Sequence, residues 1–380
     1  MKSRNRRRPQ SGLTILLGAI ILIFVVVAAA VGIKYVTGSL SSTDGKKAAK
    51  EKKENKDEVK VEGIEISIPK ETVRAGEETQ LTVKVTPENA TNKELTWSVS
   101  GAGGTVTKDG VFTPNEEAGK STVEVKAEAS DGSGASASVS VRVLEAIDPE
   151  QPMVAITYDD GPNPDTTPTV LDALEKNYAV ATFFMQGVNI QGNEDILKRS
   201  YAMGNEMANH SWNHPQLTKI STDQIKKQLS DTDALIQEAC GVENPILRPP
   251  YGAFNDTVKS VVGKPIIIWS LDTLDWKTRS IQSTIQSCMT AKDGDIILMH
   301  DIHESTVAGA EEIITGLQEK GFQLVTVSEL YQYRNGEYGN GSVHYSMTAE
   351  EMKKNEAATA SETSEEETTT ASEEDETAAQ

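Results

Sequence analysis

Seven short apolar runs in the second half of the chain are separated by stretches in which apolar residues recur every three or four positions. This alternation restricts the region to an α/β fold built on parallel strands. The runs predict strands at Val154–Tyr158, Ala181–Met185, Glu206–Asn209, Ile246–Arg248, Pro265–Ser270, Asp295–Met299 and Gln323–Val327. Helices are predicted at Thr167–Lys176, Glu194–Tyr201, Thr222–Ala239, Ser280–Ala291 and Glu304–Lys320, several with Ser or Thr near their starts. Seven βα units predict a barrel.

Upstream, the pattern changes period. Between Val61 and Val143, Leu81, Val83 and Val85, then Val123, Val125 and Ala127, then Val139, Val141 and Val143 alternate with other residues, as half-buried strands do. Turn signals at Gly76, Asp109-Gly110 and Asp131-Gly132 divide them into the short strands of a β-sandwich, with Trp97 expected in its core. Gly38 to Lys60 is too polar to bury a core and reads as a tether. Gly12 to Ile33 is apolar and uncharged, about the ~20 residues that a helix needs to cross a bilayer. Lys2, Arg4, Arg6, Arg7 and Arg8 precede it, so the positive-inside rule places the working domains outside the cell. A cleaved signal peptide is the rival reading, with Ala28-Ala29-Ala30 as its small-residue segment. The formal net charge of −20 and the acidic tract after Asn355 argue against a nucleic-acid partner. Cys240 and Cys288 leave two readings open, a disulfide or two free thiols.

Parallel barrels gather function at the C-terminal ends of their strands, and the ionisable residues fall there. Asp159-Asp160-Gly161 follows the first run, His210 and His214 the third, and Arg248-Pro249-Pro250-Tyr251 the fourth. Asp272 and Asp275-Trp276 follow the fifth, and Leu298-Met299-His300 the sixth. Each alone has a plain explanation. Asp159-Asp160-Gly161 makes a turn, Arg248 before two prolines ends a strand, solvated carboxylates need no partner, and His300 after an apolar run is a core histidine. His210 and His214 are spaced to lie on one side of a helical turn, where they could share a metal. Five such coincidences at the strand ends of one domain are harder to assign to turns and solvated faces.

This set, in this order, resembles the NodB-homology polysaccharide deacetylases, a carbohydrate esterase family, across roughly Pro152 to Leu330. The resemblance implies a distorted (β/α) barrel of about seven strands. Thr157-Tyr158-Asp159-Asp160-Gly161 matches the family's Thr-Phe-Asp-Asp-Gly, which implies Asp159 as general base and Asp160 as metal ligand. It further implies that His210 and His214 complete a divalent-metal site, with zinc as the expected ion. Arg248 is implied to orient Asp159, Tyr251 to offer a backbone N–H to the oxyanion, and Asp275 to tune His300 as general acid. Leu298 and Trp276 are implied to line the acetyl pocket. Asn205 stands where relatives often have His. Leu81-Thr82-Val83-Lys84-Val85-Thr86-Pro87, with Leu95-Thr96-Trp97-Ser98, likewise resembles bacterial Ig-like domains and implies a spacer or wall-binding module.

The expected organisation is a cytoplasmic basic segment (1–11), a transmembrane helix (12–34), a linker (35–60), an all-β Ig-like sandwich (61–146), the deacetylase domain (147–335) and a disordered acidic tail (336–380). The expected function is metal-dependent removal of N-acetyl groups from an extracellular aminosugar polymer, with peptidoglycan N-acetylglucosamine preferred. Chitin-type oligomers, O-acetylated xylan and a non-catalytic wall-binding role stand as alternatives. The expected partners are cell-wall polysaccharide and, through the N-terminal helix, the membrane; no protein partner is inferred. A non-haem iron oxygenase is disfavoured because its close His-x-Asp or His-x-Glu pair is missing.

Overall fold

The computed structural model describes residues 58–348 apart from 102, 335, 337 and 338. The expected transmembrane helix and acidic segment beyond Thr348 lie outside the described residues, as does most of the linker. Among the described residues no helix is long and apolar enough to cross a membrane.

The first region is β-rich. Gly63–Ser67 pairs antiparallel with Thr82–Thr86. Thr72–Arg74, Ser136–Leu144, Ser121–Ala129 and Leu95–Val99 form a four-stranded sheet, and Thr79–Gln80, Val111–Pro114 and Gly104–Val106 a three-stranded one. Phe112, Val123, Val125, Val141 and Val143 fill the space between, and Trp97 packs against them half-buried. The period-two pattern forms strands because alternate residues face that core while their neighbours face water.

The second region is a mixed α/β domain on a parallel sheet. Met153–Asp159 is buried along its whole length, with Thr182–Met185 on one side and Ile296–His300 on the other. A strand covered on both faces and flanked on both edges is apolar along most of its length, which is why its sequence does not alternate. Gln323–Val325 pairs with its first residues, Glu206–Asn209 adds to Thr182–Met185, and Leu271–Asp272 pairs with Ile296–His300. Isolated bridges join Asn209 to Leu247 and Leu247 to Ile266. Helix Thr222–Cys240 starts in a capping box of Ser221 and Gln224, stops at left-handed Gly241, and buries Ile225, Leu229 and Ile236 on one stripe.

The structure corrects several expected boundaries. Of the strand expected at Pro265–Ser270 only Ile266–Ile267 forms, and a separate short strand, Leu271–Asp272, follows it. The helix expected over Glu304–Lys320 breaks at Gly309 into Glu304–Ala308 and Ala310–Glu319. A Cβ on Gly309 would lie 3.3 Å from Ile285 Cγ1, so the packing there favours a bare backbone. The acidic tail does not begin at 336. Val343–His344 pairs parallel with Ile266–Ile267, and Met347 is buried in the core. Both cysteines are free, Cys288 lying 3.7 Å from Met299 Sδ.

Two arginines of the β-rich region fasten it to the α/β domain. Arg74 makes a two-pronged bond to Glu329, Nε to Oε1 at 2.8 Å and Nη2 to Oε2 at 2.9 Å. Glu329 also accepts from Thr326 N as half of the capping box of helix Val327–Tyr333. Arg142 donates to the carbonyls of Met203, Leu174 and Glu175 and stacks over Tyr178. Burial works against the Glu329 charge, but Arg74 outweighs it and holds the carboxyl below its ordinary value. The pair therefore contributes stability above the unfolded carboxyl's pKa, which is lost as acid protonates Glu329. Arg74→Met leaves that carboxylate without its cation and should cost about 3 kcal/mol at neutral pH, read from urea unfolding.

Candidate metal centre and active site

Asp159 ends the central strand, and the backbone turns left-handed at Asp160 just after it, φ 76°. That turn sends the two carboxylates in different directions. Asp160 is fixed from below: Gln186 Nε2 donates to its Oδ1 at 2.7 Å, and Asn189 Nδ2 to its carbonyl at 2.8 Å. Gly161 follows because nothing larger fits. A Cβ there would lie 2.5 Å from Asp301 Oδ2, which Thr167 Oγ1 also holds at 2.5 Å.

His210 and His214 do not share a helical turn. They lie on a loop after Glu206–Asn209 in which Ser211 and His214 are both left-handed, φ 68° and 62°. Those reversals, rather than a helical period, bring the rings to a 5.0 Å centroid separation. His210 Nδ1 lies 2.6 Å from the Arg248 carbonyl, so it carries the hydrogen and Nε2 keeps its lone pair. Each Nε2 is 3.5 Å from Asp160 Oδ1, and the ligand atoms of Asp160, His210 and His214 lie within 4.8 Å of one another. Burial first, and the neighbouring His210 second, hold the His214 pKa below its ordinary value and favour its neutral, ligating form. Burial opposes ionisation of Asp160, but the histidines overcome it and keep the carboxyl lowered. Two imidazoles and one carboxylate make a donor set that suits a divalent metal, with positions left for water and substrate.

Arg248 is fully buried behind this triad. Its Nη1 donates to Asp159 Oδ1 at 2.6 Å and Thr157 Oγ1 at 2.8 Å, while Nη2 and Nε reach the carbonyls of Ile268 and Ile267. Asp159 Oδ2 lies 3.7 Å from His210 Nε2. At the end of the neighbouring strand, where His300 is in register with Asp159, Asp275, also fully buried, accepts from His300 Nδ1 at 2.9 Å, from His300 N at 2.8 Å and from Thr306 Oγ1 at 2.7 Å. Burial alone would lower His300. The bond to Asp275 and the charges of Asp159, Asp275 and Asp160 instead raise it to about 8. Tyr251, left-handed and exposed, sets its ring edge-on to His214 at 4.5 Å. Trp276 is exposed at the start of the short helix that carries Asp275, and Leu298 is buried in Ile296–His300.

A family model described as polysaccharide deacetylase matches residues 146–264, and one described as bacterial Ig-like domain (group 2) matches residues 60–139. A peptidoglycan-N-acetylglucosamine deacetylase of Bacillus cereus is 36% identical over 193 residues, 48% of this chain and 90% of that protein. The chain belongs to the polysaccharide deacetylase family of hydrolases. The peptidoglycan-N-acetylmuramic acid deacetylase PdaC of Bacillus subtilis is 41% identical over 197 residues, 52% of this chain but 42% of that protein's own length. A solved structure, "T48 deacetylase with substrate", matches with a TM-score of 0.50 at 36% identity, over 52% of this chain and 99% of that one.

Gln186, Asn189 and Thr306, which hold this deacetylase site together, were not singled out in the sequence, and Thr157 was read only as part of its motif, without a role. Thr157 had a signal, being a hydroxyl in an otherwise apolar buried strand. Gln186 caps the short helix Gly187–Ile190, Asn189 lies within it and Thr306 within Glu304–Ala308, and the approach of both helices to the site depends on the tertiary fold. Gly161→Ala should push the Asp160 turn off Asp301 and cut bound metal several-fold, measured by metal analysis of the purified protein. If protonated His300 is the proton donor, kcat/KM should fall as pH rises through about 8. Asp275→Asn, which weakens the imidazolium's partner, should move that alkaline limb to lower pH.

Proposed function

We propose that this chain is a metal-dependent deacetylase that removes N-acetyl groups from extracellular aminosugar polymer, with peptidoglycan N-acetylglucosamine as its substrate. The observation that carries the reading is the convergence of Asp160, His210 and His214 between two braced groups, the Asp159–Arg248 pair and the Asp275–His300 pair. Amide hydrolysis needs a base, a polarised carbonyl and a proton for the departing amine, and this arrangement offers a group for each. A bound zinc would supply Lewis acidity for the acetyl oxygen and for a water. Asp159 takes the water's proton, with Arg248 fixing which oxygen faces it. Tyr251 offers its backbone N–H to the oxyanion, and Trp276 and Leu298 enclose the acetyl methyl. His300, kept protonated by Asp275, delivers its proton to the sugar nitrogen.

The bridges from Asn209 to Leu247 and from Leu247 to Ile266 at one edge of the sheet, and the pairing of Leu271–Asp272 with Ile296–His300 at the other, support the reading of a distorted barrel of about seven strands. The basic segment at 1–11 and apolar run at 12–34 support a single-pass anchor with the catalytic domain outside the cell, where wall polymer is the first acetylated glycan that it meets. The likeness to PdaC favours a second reading, in which the muramic sugar is deacetylated. Mass spectrometry of muropeptides from treated wall separates the two by which sugar loses acetyl.

Acetate release from acetylated polymer should stop with a chelator and return with zinc. Asp160→Ala and His210→Ala should lose metal and activity together. Asp159→Asn should keep its metal while the rate falls by about 10²–10⁴-fold, the effect of losing an acid–base group. An Asp159→Asn protein with full activity would overturn the assignment.

A further inference from the structure

The segment from His210 to His214 carries two of the three ligand side chains, yet it belongs to no helix or strand. Every N–H along it nevertheless has an acceptor. His210 N donates to the Met185 carbonyl at 2.9 Å, and Ser211 N to Asn209 Oδ1 at 2.7 Å. Trp212 N and Asn213 N share Gln228 Oε1, at 2.9 Å and 3.1 Å, and His214 N donates to Ser211 Oγ at 3.2 Å. From the other side, Gly187 N and Val188 N donate to the carbonyls of Ser211 and Trp212. A loop whose backbone groups are satisfied this fully holds a shape of its own.

One helix sets two of these acceptors. Gln228 lies half-buried on Thr222–Cys240, and its Nε2 donates to Asn213 Oδ1 at 2.8 Å, which keeps its oxygen turned toward the loop amides. Asn209 is fully buried, and its Nδ2 donates to Asp233 Oδ1 at 2.7 Å and to the Leu229 carbonyl at 3.0 Å. Those bonds fix which end of Asn209 faces Ser211. Asp233 is held in turn by Lys264, whose buried Nζ reaches its other oxygen at 2.5 Å. Leu229 and Asp233 are one helical turn apart and Gln228 adjoins Leu229, so a single stripe of the helix carries all three. A Cβ on Gly187 would lie 2.4 Å from Trp212 Cε3 and 2.6 Å from Thr232 Oγ1, so helix and loop also close on the segment whose Gln186 and Asn189 brace Asp160.

We propose that Gln228 and Asp233 are positioning residues that hold His210 and His214 at ligating distance from Asp160 before any metal arrives. The inference rests on the metal-dependent deacetylase reading and deepens it, by assigning the affinity of the site to a helix that carries none of the three ligands. Gln228 acts on the loop peptides directly, and Asp233 by way of Asn209. A loose loop would give up its conformational freedom when the ion binds and so weaken binding, whereas a braced loop gives it up on folding. Ser211 and His214 sharpen the need, because left-handed backbone at residues other than glycine persists only where the surroundings fix it.

The test titrates zinc into the full, metal-free chain against a competing chelator, and follows amide hydrogen exchange over residues 210–214 before zinc is added. In the metal-free wild type those amides should be protected. Gln228→Met keeps the bulk but removes the shared acceptor, so exchange there should rise and zinc binding weaken about tenfold, the lower end of what lost outer partners cost. Gln228→Glu, which keeps an oxygen for Trp212 N and Asn213 N, should restore most of the affinity. Asp233→Asn leaves one oxygen to serve both Lys264 and Asn209 and should weaken binding in the same direction. Urea unfolding of each metal-free variant reads any general loss of stability separately. Unchanged zinc affinity in Gln228→Met and Asp233→Asn, whatever happens to the urea midpoint, makes the two residues merely structural and overturns the proposal. Unprotected loop amides in the metal-free wild type, or an equal loss of affinity in Gln228→Met and Gln228→Glu, also overturn it while leaving the deacetylase reading intact. A wild-type chain that binds no zinc and releases no acetate overturns both together.

Discussion

The Arg248 guanidinium is the contact on which the rest of the site depends. It is a cation removed from water, and such a charge persists only when its donors are met. Asp159, Thr157 and the carbonyls of Ile267 and Ile268 meet them, while its own backbone carbonyl fixes His210. One residue thus links the central strand, the edge after Leu247, the Ile266–Ile267 segment and the histidine loop. Phe184, with its ring 4.0 Å from the guanidinium carbon, covers the cation with an aromatic face. Asp159 and His210 are both held by the same buried residue, so their separation is set by the core rather than by surface loops.

The His300 flank follows the same logic with the charges exchanged. There a buried carboxylate, Asp275, collects a ring N–H, two backbone N–H groups and a hydroxyl. The two flanks differ in what they leave available. Arg248 leaves Asp159 with one oxygen 3.7 Å from His210 Nε2, whereas Asp275 engages His300 through Nδ1 and not through Nε2.

Much of this was legible in the sequence where period or chemistry was strong. Helix Thr167–Lys176 occurs with the expected bounds, because its apolar spacing and Lys176 at the end agree. The strand ends carrying Asp159, His210, Arg248, Asp275 and His300 were legible as a conjunction of residues that no single motif could establish. Position-specific backbone was not legible. The His210–His214 spacing reads as helix, and only the left-handed turns at Ser211 and His214 make it a loop. Val343–His344 and Met347 lie beyond the last periodic segment, and two paired residues are too few to give a period. The docking of Arg74 and Arg142 was also hidden, since an exposed arginine and one buried against a neighbouring domain look alike in a strand.

Asp160, Ser211, His214, Tyr251 and Leu274 all adopt positive φ without being glycine. Side chains rarely occupy that region, at an energetic cost of order 1 kcal/mol each. The rim of the site is therefore encoded in backbone shape as much as in chemical groups. For a lineage or a designer altering what this scaffold accepts, those five positions make poor places to begin, since β-branched replacements there would disturb the loops as well as the contacts. Trp276 and Val188 are exposed and absent from the positive-φ set, and so offer chemistry that can vary while the frame stays put.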